Sequence, residues 1–119
     1  MPRTEAAERR DEEIRQIEKY LEEVALPKGL TEKQAKRFVR KASDFFASGG
    51  KLWRRGGGGN PKRVIMDLTR RREILKEAHD DLGHKGVYSV RMRLLERFWW
   101  PYLEYDVKWY VGTCHQCQL

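Results

Sequence analysis

Two histidines and two cysteines near the end of the chain are residue types that bind zinc: His79, His84, Cys114 and Cys117. A Cys-x-x-Cys turn lets two thiolates bind one ion, and two thiolates with two imidazoles suit tetrahedral zinc. Four protein ligands leave no position for water, so we expect a structural site that does no chemistry. The alternatives are a redox-active cysteine pair, whose usual βαβ setting is missing, or surface histidines with small core cysteines. His115, between the cysteines, is expected to face solvent.

The chain must fold back on itself to bring these ligands together. His79 and His84 are five residues apart, so on a continuous helix they would point to different faces. Gly83 allows the helix to end and the chain to turn. The 29 residues between His84 and Cys114 contain two helical segments of about 12 residues, each roughly 18 Å long. Two antiparallel helices of equal length predict a hairpin that returns Cys114 close to His84.

Apolar spacing predicts five helices and one β-hairpin. The helices are expected at residues 11–25, from Thr31 to the glycines at 49–50, from Arg70 to about His79, from Val87 to about Arg97, and from Pro101 to Gly112. The second helix starts with a Thr31–Gln34 capping box, and its apolar face includes Phe45 and Phe46. The runs 51–54 and 62–66 flank a glycine-rich connection, which predicts the hairpin. A phosphate-binding loop is disfavoured because no Gly-Lys-Ser/Thr follows.

Aromatic residues cluster around the junction of the last two helices. Phe98 continues the buried stripe of the fourth helix, and Trp99 and Trp100 follow it directly. These tryptophans and Trp109 suit a platform on which nucleic-acid bases stack. Because they lie beside apolar stripes of a small helical unit, we expect them in the core instead.

The net charge of +7 is concentrated in the middle of the chain. The formal net charge, the count of Lys and Arg minus that of Asp and Glu, is −2 for residues 1–30, +9 for residues 31–78 and 0 for residues 79–119. Such a local excess indicates a polyanionic partner, most often nucleic acid; the alternative is a basic surface that only aids solubility. The candidate nucleic-acid-binding residues are Lys33, Lys36, Arg37, Arg40, Lys41, Arg54, Arg55, Lys62, Arg63, Arg70 and Arg71.

The composition limits the cellular compartments in which we expect the protein. No apolar run has the length of a transmembrane helix, and the first ten residues are too polar for a signal peptide. Two cysteines three positions apart would close only a tiny disulfide loop, which stabilises little. We therefore expect reduced thiols in a nuclear or cytoplasmic compartment. We expect no secretion, no membrane partner and no small-molecule substrate.

Five runs of residues together resemble the HHCC zinc-binding N-terminal domain of integrases, most of all that of gypsy-type LTR retrotransposons. They are Ile74–Asp80, Gly83–Val87, Phe98–Pro101, Asp106–Val111 and Cys114–Gln118. The resemblance implies zinc on the two histidines and two cysteines, a helical bundle of helix-turn-helix type, and a role in integrase multimerisation and in contacts with DNA ends. Residues 11–67 resemble the N-terminal extension that precedes this domain in such elements and in some retroviruses.

The expected fold class is therefore α+β and mainly α. A polar tail at 1–10 precedes an extension unit of two helices and a β-hairpin at 11–67, and a zinc-stabilised three-helix HHCC bundle follows at 68–119. The chain ends two residues after Cys117, so no RNase-H-like catalytic core fits and we expect no enzyme activity.

We expect a non-catalytic module that supports DNA binding and integrase assembly. Its partners would be element ends or non-specific duplex DNA, a second copy of the chain, or the integrase catalytic core. The alternatives are a domesticated protein-interaction adaptor and an HHCC-type sequence-specific promoter-binding factor.

Overall fold

The computed structural model describes residues 2–57, 59–81 and 86–113. Within these ranges the chain is a mixed α+β structure, as expected. Its elements are α1 (Glu5–Glu23), α2 (Glu32–Ala42), β1 (Phe45–Ser48), β2 (Lys51–Arg54), β3 (Lys62–Val64), α3 (Leu68–Asp81), α4 (Val87–Leu95), β4 (Phe98–Trp99) and α5 (Leu103–Thr113). None of the helices described here combines the length and apolar character needed to cross a membrane.

The four strands form one sheet in the order β1-β2-β3-β4. The first two pairings are antiparallel, and β4 joins β3 in parallel. The pairing of β2 with β3 confirms the predicted hairpin. The pairing of β3 with β4 links the middle of the chain to its last third, because Ile65 N donates to Trp99 O at 3.1 Å.

Two of the four strands replace predicted helix. Phe45 and Phe46 are predicted on the second helix, but α2 ends at Ala42 and both residues lie in β1. Gly49 and Gly50 have φ values of 61° and 72°, which suit a two-residue turn between antiparallel strands. Phe98, predicted to continue the buried stripe of the fourth helix, likewise lies in β4, because α4 ends at Leu95. In both places strand pairing outweighs helical spacing.

The first helix begins earlier than the sequence predicts. Residues 1–10 are expected as a polar tail, but α1 starts at Glu5, where the Thr4 hydroxyl accepts from Ala7 N at 3.1 Å. Ala7 is buried within this stretch. The correction has a physical reason: Arg3 is held by buried carboxylates, described below, and this contact orders the start of the chain.

Two hydrophobic cores meet at β3. One is formed by α1, α2 and the inner face of β1–β3, and it contains Ile14, Ile17, Phe38, Ala42, Phe45, Leu52 and Val64. The other is formed mainly by α3, α4 and α5, and it contains Ile65, Ile74, Leu75, Ala78, Val90, Leu94, Trp100, Leu103 and Val107. Val64 and Ile65 are adjacent in sequence but belong to different cores, as expected for neighbours that point to opposite faces of a strand.

Candidate metal centre and nucleic-acid surface

His79 is the zinc-ligand candidate that lies in the described part of the chain. It sits near the end of α3, and only 1% of its surface is exposed. Its ring makes an edge-to-face contact with Tyr110 of α5, with ring centroids 5.6 Å apart. This burial rules out the alternative that His79 is a surface residue. The other three candidates, His84, Cys114 and Cys117, lie outside the described residues.

The helices around His79 agree with the geometry that a shared metal site needs. Asp67 caps α3, since its Oδ1 accepts from Thr69 N at 2.9 Å. The helices α4 and α5 pack against one another, and both contact α3. Tyr110 lies in the last turn of α5, and Cys114 follows Thr113 directly in sequence. The fold therefore brings the end of α3 beside the helix that precedes Cys114 in sequence. A buried imidazole in this position fits a zinc ligand.

A buried ion network holds α1 against α3 and α5. Arg3 lies 2.7 Å from the carboxylate of Asp11 and 3.0 Å from that of Asp106. Arg71 donates from both terminal nitrogens to Asp11, at 3.1 and 3.3 Å. Trp100 Nε1 donates to Asp106 Oδ2 at 2.8 Å. The network joins residues 3 and 11 of the predicted tail and extension to residues 71, 100 and 106 of the predicted zinc domain.

The network removes one candidate from the nucleic-acid surface. Arg71 is predicted to bind DNA, but its side chain is 0% exposed, and its Nε donates to Ile65 O at 2.6 Å. The prediction for Arg71 is therefore wrong: its guanidinium is used inside the protein. Burial lowers the pKa of Arg71 from its usual range, opposed by the hydrogen bond and charge of Asp11. Burial likewise raises the pKa of Asp106, opposed by Trp100 and Arg3.

Two carboxylates of this network can be recognised in the sequence, because they occupy positions where helical spacing predicts apolar residues. Asp11 lies between Ala7 and Ile14 on the buried stripe of α1. Asp106 lies between Leu103 and Val107 on the buried face of α5. A carboxylate on such a stripe requires a buried partner. Arg3 carries no comparable signal, because nothing in its polar neighbourhood marks it as buried.

Five of the predicted nucleic-acid-binding residues form a basic stripe on α2 that is largely exposed: Lys33, Lys36, Arg37, Arg40 and Lys41. Four of its residues, Lys33, Lys36, Arg37 and Arg40, lie at the surface. Lys36 is 3.5 Å from Glu32, one turn earlier, an exposed pair of little energetic weight. Lys41 is half-buried, and its Nζ lies 3.0 Å from Glu13 of α1. The stripe therefore presents four accessible cations on one helix.

The remaining candidates surround the sheet. Arg54 lies over the ring of Trp99, 4.5 Å from its centroid, and its strand register places it opposite Lys62. Lys62 Nζ donates to Glu96 O at 3.2 Å. Arg55 is exposed and Arg63 is half-buried. The hairpin thus brings the predicted cations of β2 and β3 together.

Arg70 stands apart from the sheet cations, at the exposed start of α3. Its guanidinium lies 3.1 Å from Glu73 and 3.5 Å from Glu77. These exposed carboxylates reduce the net positive charge that Arg70 offers to a phosphate.

Comparison with known proteins confirms the predicted resemblance to an integrase zinc-binding domain, but not its finer assignment to gypsy-type retrotransposons or the extension at 11–67. Residues 67–119 match the family described as the integrase zinc binding domain. The Pro-Pol polyprotein of feline foamy virus is 32% identical over 57 residues, which are 48% of this chain and 5% of the polyprotein. That of simian foamy virus type 3 (strain LK3) is 34% identical over 58 residues, 49% of this chain and 5% of the polyprotein. The chain thus spans a small fraction of the length of these relatives. Residues 67–119, somewhat less than half of the chain, are thus similar to the integrase zinc binding domain.

Proposed function

We propose that this chain is a non-catalytic module of a retrotransposon-type integrase, which binds DNA and supports integrase assembly. The observation that carries this proposal is the match of residues 67–119 to the integrase zinc binding domain. The exposed cations of α2 support the DNA-binding part. The mutual contacts of α3, α4 and α5 support a three-helix bundle of helix-turn-helix type for the zinc-binding domain.

The proposed zinc ligands are His79, His84, Cys114 and Cys117. The burial of His79 against α5 supports this set. Zinc bound by four side chains contributes folding free energy and leaves no open position for a substrate. The cysteines bind as thiolates, so the module requires a reducing compartment, which is the nucleus or the cytoplasm.

DNA binding is proposed to act mainly through phosphate contacts of α2. We expect the affinity for duplex DNA to fall steeply between about 50 and 200 mM salt, because bound cations release counterions from the duplex. Neutralising Arg37→Gln and Arg40→Gln together should reduce the slope of log affinity against log salt by about 2. Fluorescence anisotropy with a labelled duplex measures both quantities.

A control for this experiment is available on α1. Arg9 and Arg15 are exposed, with 73% and 49% of their side chains accessible, and both lie in the acidic first third of the chain. The pair Arg9→Gln and Arg15→Gln removes the same charge outside the proposed surface, so it should change the slope little. An equal change in the salt slope for the α1 pair and the α2 pair would contradict the proposed surface. So would an affinity that does not depend on salt.

Assembly is proposed to use the outer face of α4. Tyr88 and Met92 lie one helical turn apart and are 71% and 45% exposed, an apolar surface of the kind that partners cover. If zinc-loaded chains associate, replacing Tyr88→Ser and Met92→Ser together should shift the equilibrium toward monomer in sedimentation velocity. Association that persists unchanged in this variant would place the interface elsewhere.

A further inference from the structure

One cross-strand row runs over all four strands of the sheet. Phe46 of β1 is paired with Trp53 of β2, Trp53 with Arg63 of β3, and Arg63 with Phe98 of β4. Residues paired in this way point to the same face of a sheet. Because neighbouring strands lie about 4.8 Å apart, the row is roughly 14 Å wide. All four side chains are half-buried.

The opposite face of the same strands has a different character. Phe45, Leu52 and Val64 alternate with the row and are buried at 3%, 4% and 7% exposure, within the core formed with α1 and α2. One buried face is sufficient to hold an antiparallel sheet. Phe98 also packs against the second core, so the row is anchored at its β4 end. Phe46 and Trp53 therefore form an aromatic surface beyond what the inner core requires.

The rings of the row are held in place and are flanked by arginines. Phe46 and Trp53 lie nearly parallel, with centroids 6.5 Å apart and planes at 13°. Trp53 Nε1 donates to Ser48 O at 3.1 Å, which restrains the indole. Arg55 lies 4.8 Å from the centroid of Phe46 at one end. Arg97 lies 5.3 Å from that of Phe98 at the other end.

We propose that this row, Phe46–Trp53–Arg63–Phe98, binds unpaired nucleotides of single-stranded DNA. Bases stack on the rings of Phe46 and Trp53, while the arginines of the row and its ends contact the phosphates. Aromatic side chains beside cations bind single strands in this way with little sequence preference. Duplex DNA cannot use the same surface, because its bases are already stacked on one another.

This surface is distinct from the duplex-binding stripe of α2. The choice of DNA over RNA rests on the proposed integrase function, whereas the stacking itself rests only on the sheet geometry. The candidate nucleic-acid-binding residues predicted from the sequence do not include Phe46, Trp53, Phe98 or Arg97. Their alignment becomes visible only when the register of β1 and β4 is known.

The test compares a single strand with a duplex, using the full chain in the presence of zinc. The probes are a labelled oligothymidylate of about 12 nucleotides, within the usual site size for single strands, and a duplex of equal length. Phe46→Ala with Trp53→Ala should weaken binding of the single strand by about tenfold or more, and should change binding of the duplex by less than about twofold. Tyr105→Ala, an exposed aromatic on α5 outside the row, should change neither.

Further variants separate stacking from loss of structure. Trp53→Phe keeps an aromatic face and should retain most of the single-strand affinity, whereas Trp53→Ala should not. If the double alanine variant unfolds in circular dichroism, the exposed Arg55→Gln carries the test, with a several-fold loss expected for the single strand alone. Equal losses for single strand and duplex, or no loss for either, would overturn the proposal.

The outcomes also distinguish this proposal from the proposed function. Neutralising Arg37 and Arg40 should weaken binding of the duplex. The loss of single-strand affinity caused by Trp53→Ala should be the same with or without these changes. A chain that binds only the single strand would contradict the duplex proposal and support this one. Tighter binding of oligouridylate, with the same dependence on Trp53, would overturn the assignment to DNA.

Discussion

Removing zinc is expected to destabilise residues 67–119 and, through the sheet and the ion network that join them to the rest, the whole chain. Zinc in small domains contributes on the order of 10 kcal/mol of apparent folding free energy, which is comparable to the entire stability of an ordinary domain. His79, a proposed ligand, is buried where α3 meets α5, so we expect loss of the ion to loosen the contact between the two helices. Far-ultraviolet circular dichroism and thermal melting, with and without excess chelator, measure the effect.

Matched substitutions locate the ligands. Cys114→Ser should mimic chelation, because a serine hydroxyl is a poor substitute for a thiolate on zinc. His115→Ala, which changes the neighbouring residue expected to face solvent, should leave melting nearly unchanged. Identical spectra and melting curves in excess chelator would refute a structural role for zinc. Equal loss of stability in the two variants would require a different ligand set.

A large loss of stability is also expected when the buried ion network is broken. Asp106→Ala leaves the guanidinium of Arg3 without one of its carboxylates and Trp100 Nε1 without its acceptor. Breaking a buried pair by removing one partner costs about 3–5 kcal/mol, which corresponds to a fall in melting temperature of roughly 10–20 °C for a chain of this size. Chemical denaturation followed by circular dichroism measures the change in unfolding free energy.

A control for Asp106 lies two residues away on the same helix. Glu104 pairs with Arg91 at 2.7 Å, but 59% of its side chain is exposed. Glu104→Ala should therefore cost less than about 1 kcal/mol. Asp106→Asn should fall between the two, because it can keep the bond from Trp100 while losing the charge. If Asp106→Ala and Glu104→Ala had equal effects, the network would be no more important than a surface ion pair.

Local spacing predicts most of the helices well, because helical periodicity depends on nearby residues. Ile74, Leu75 and Ala78 recur at helical intervals, and all three are buried on α3. The two runs that flank the glycine-rich connection pair as β2 and β3. The four zinc ligands stay a prediction, because three of them lie outside the described residues, whereas the family match supports zinc as the metal.

Long-range pairing explains what spacing does not predict. Phe45 and Phe46 are adjacent apolar residues that suit the end of a helix and a strand equally well. The two-residue strand β4 exists only because β3 lies beside it. The ion network joins residues separated by up to 103 positions, so no local window contains it. Tertiary contacts decide these features.

The pairing of β3 with β4 has a consequence for dividing the chain. A fragment excised at residue 67 would lose the neighbour of β4, and Trp99 would lose Arg54 and Phe45. It would also lose Arg3 and Asp11, which leaves the buried Arg71 without its carboxylate. The edge of the family match at residue 67 is therefore not the edge of a cooperative unit. The intact chain should unfold in a single transition, and the isolated fragment should be less stable than its share of the core implies.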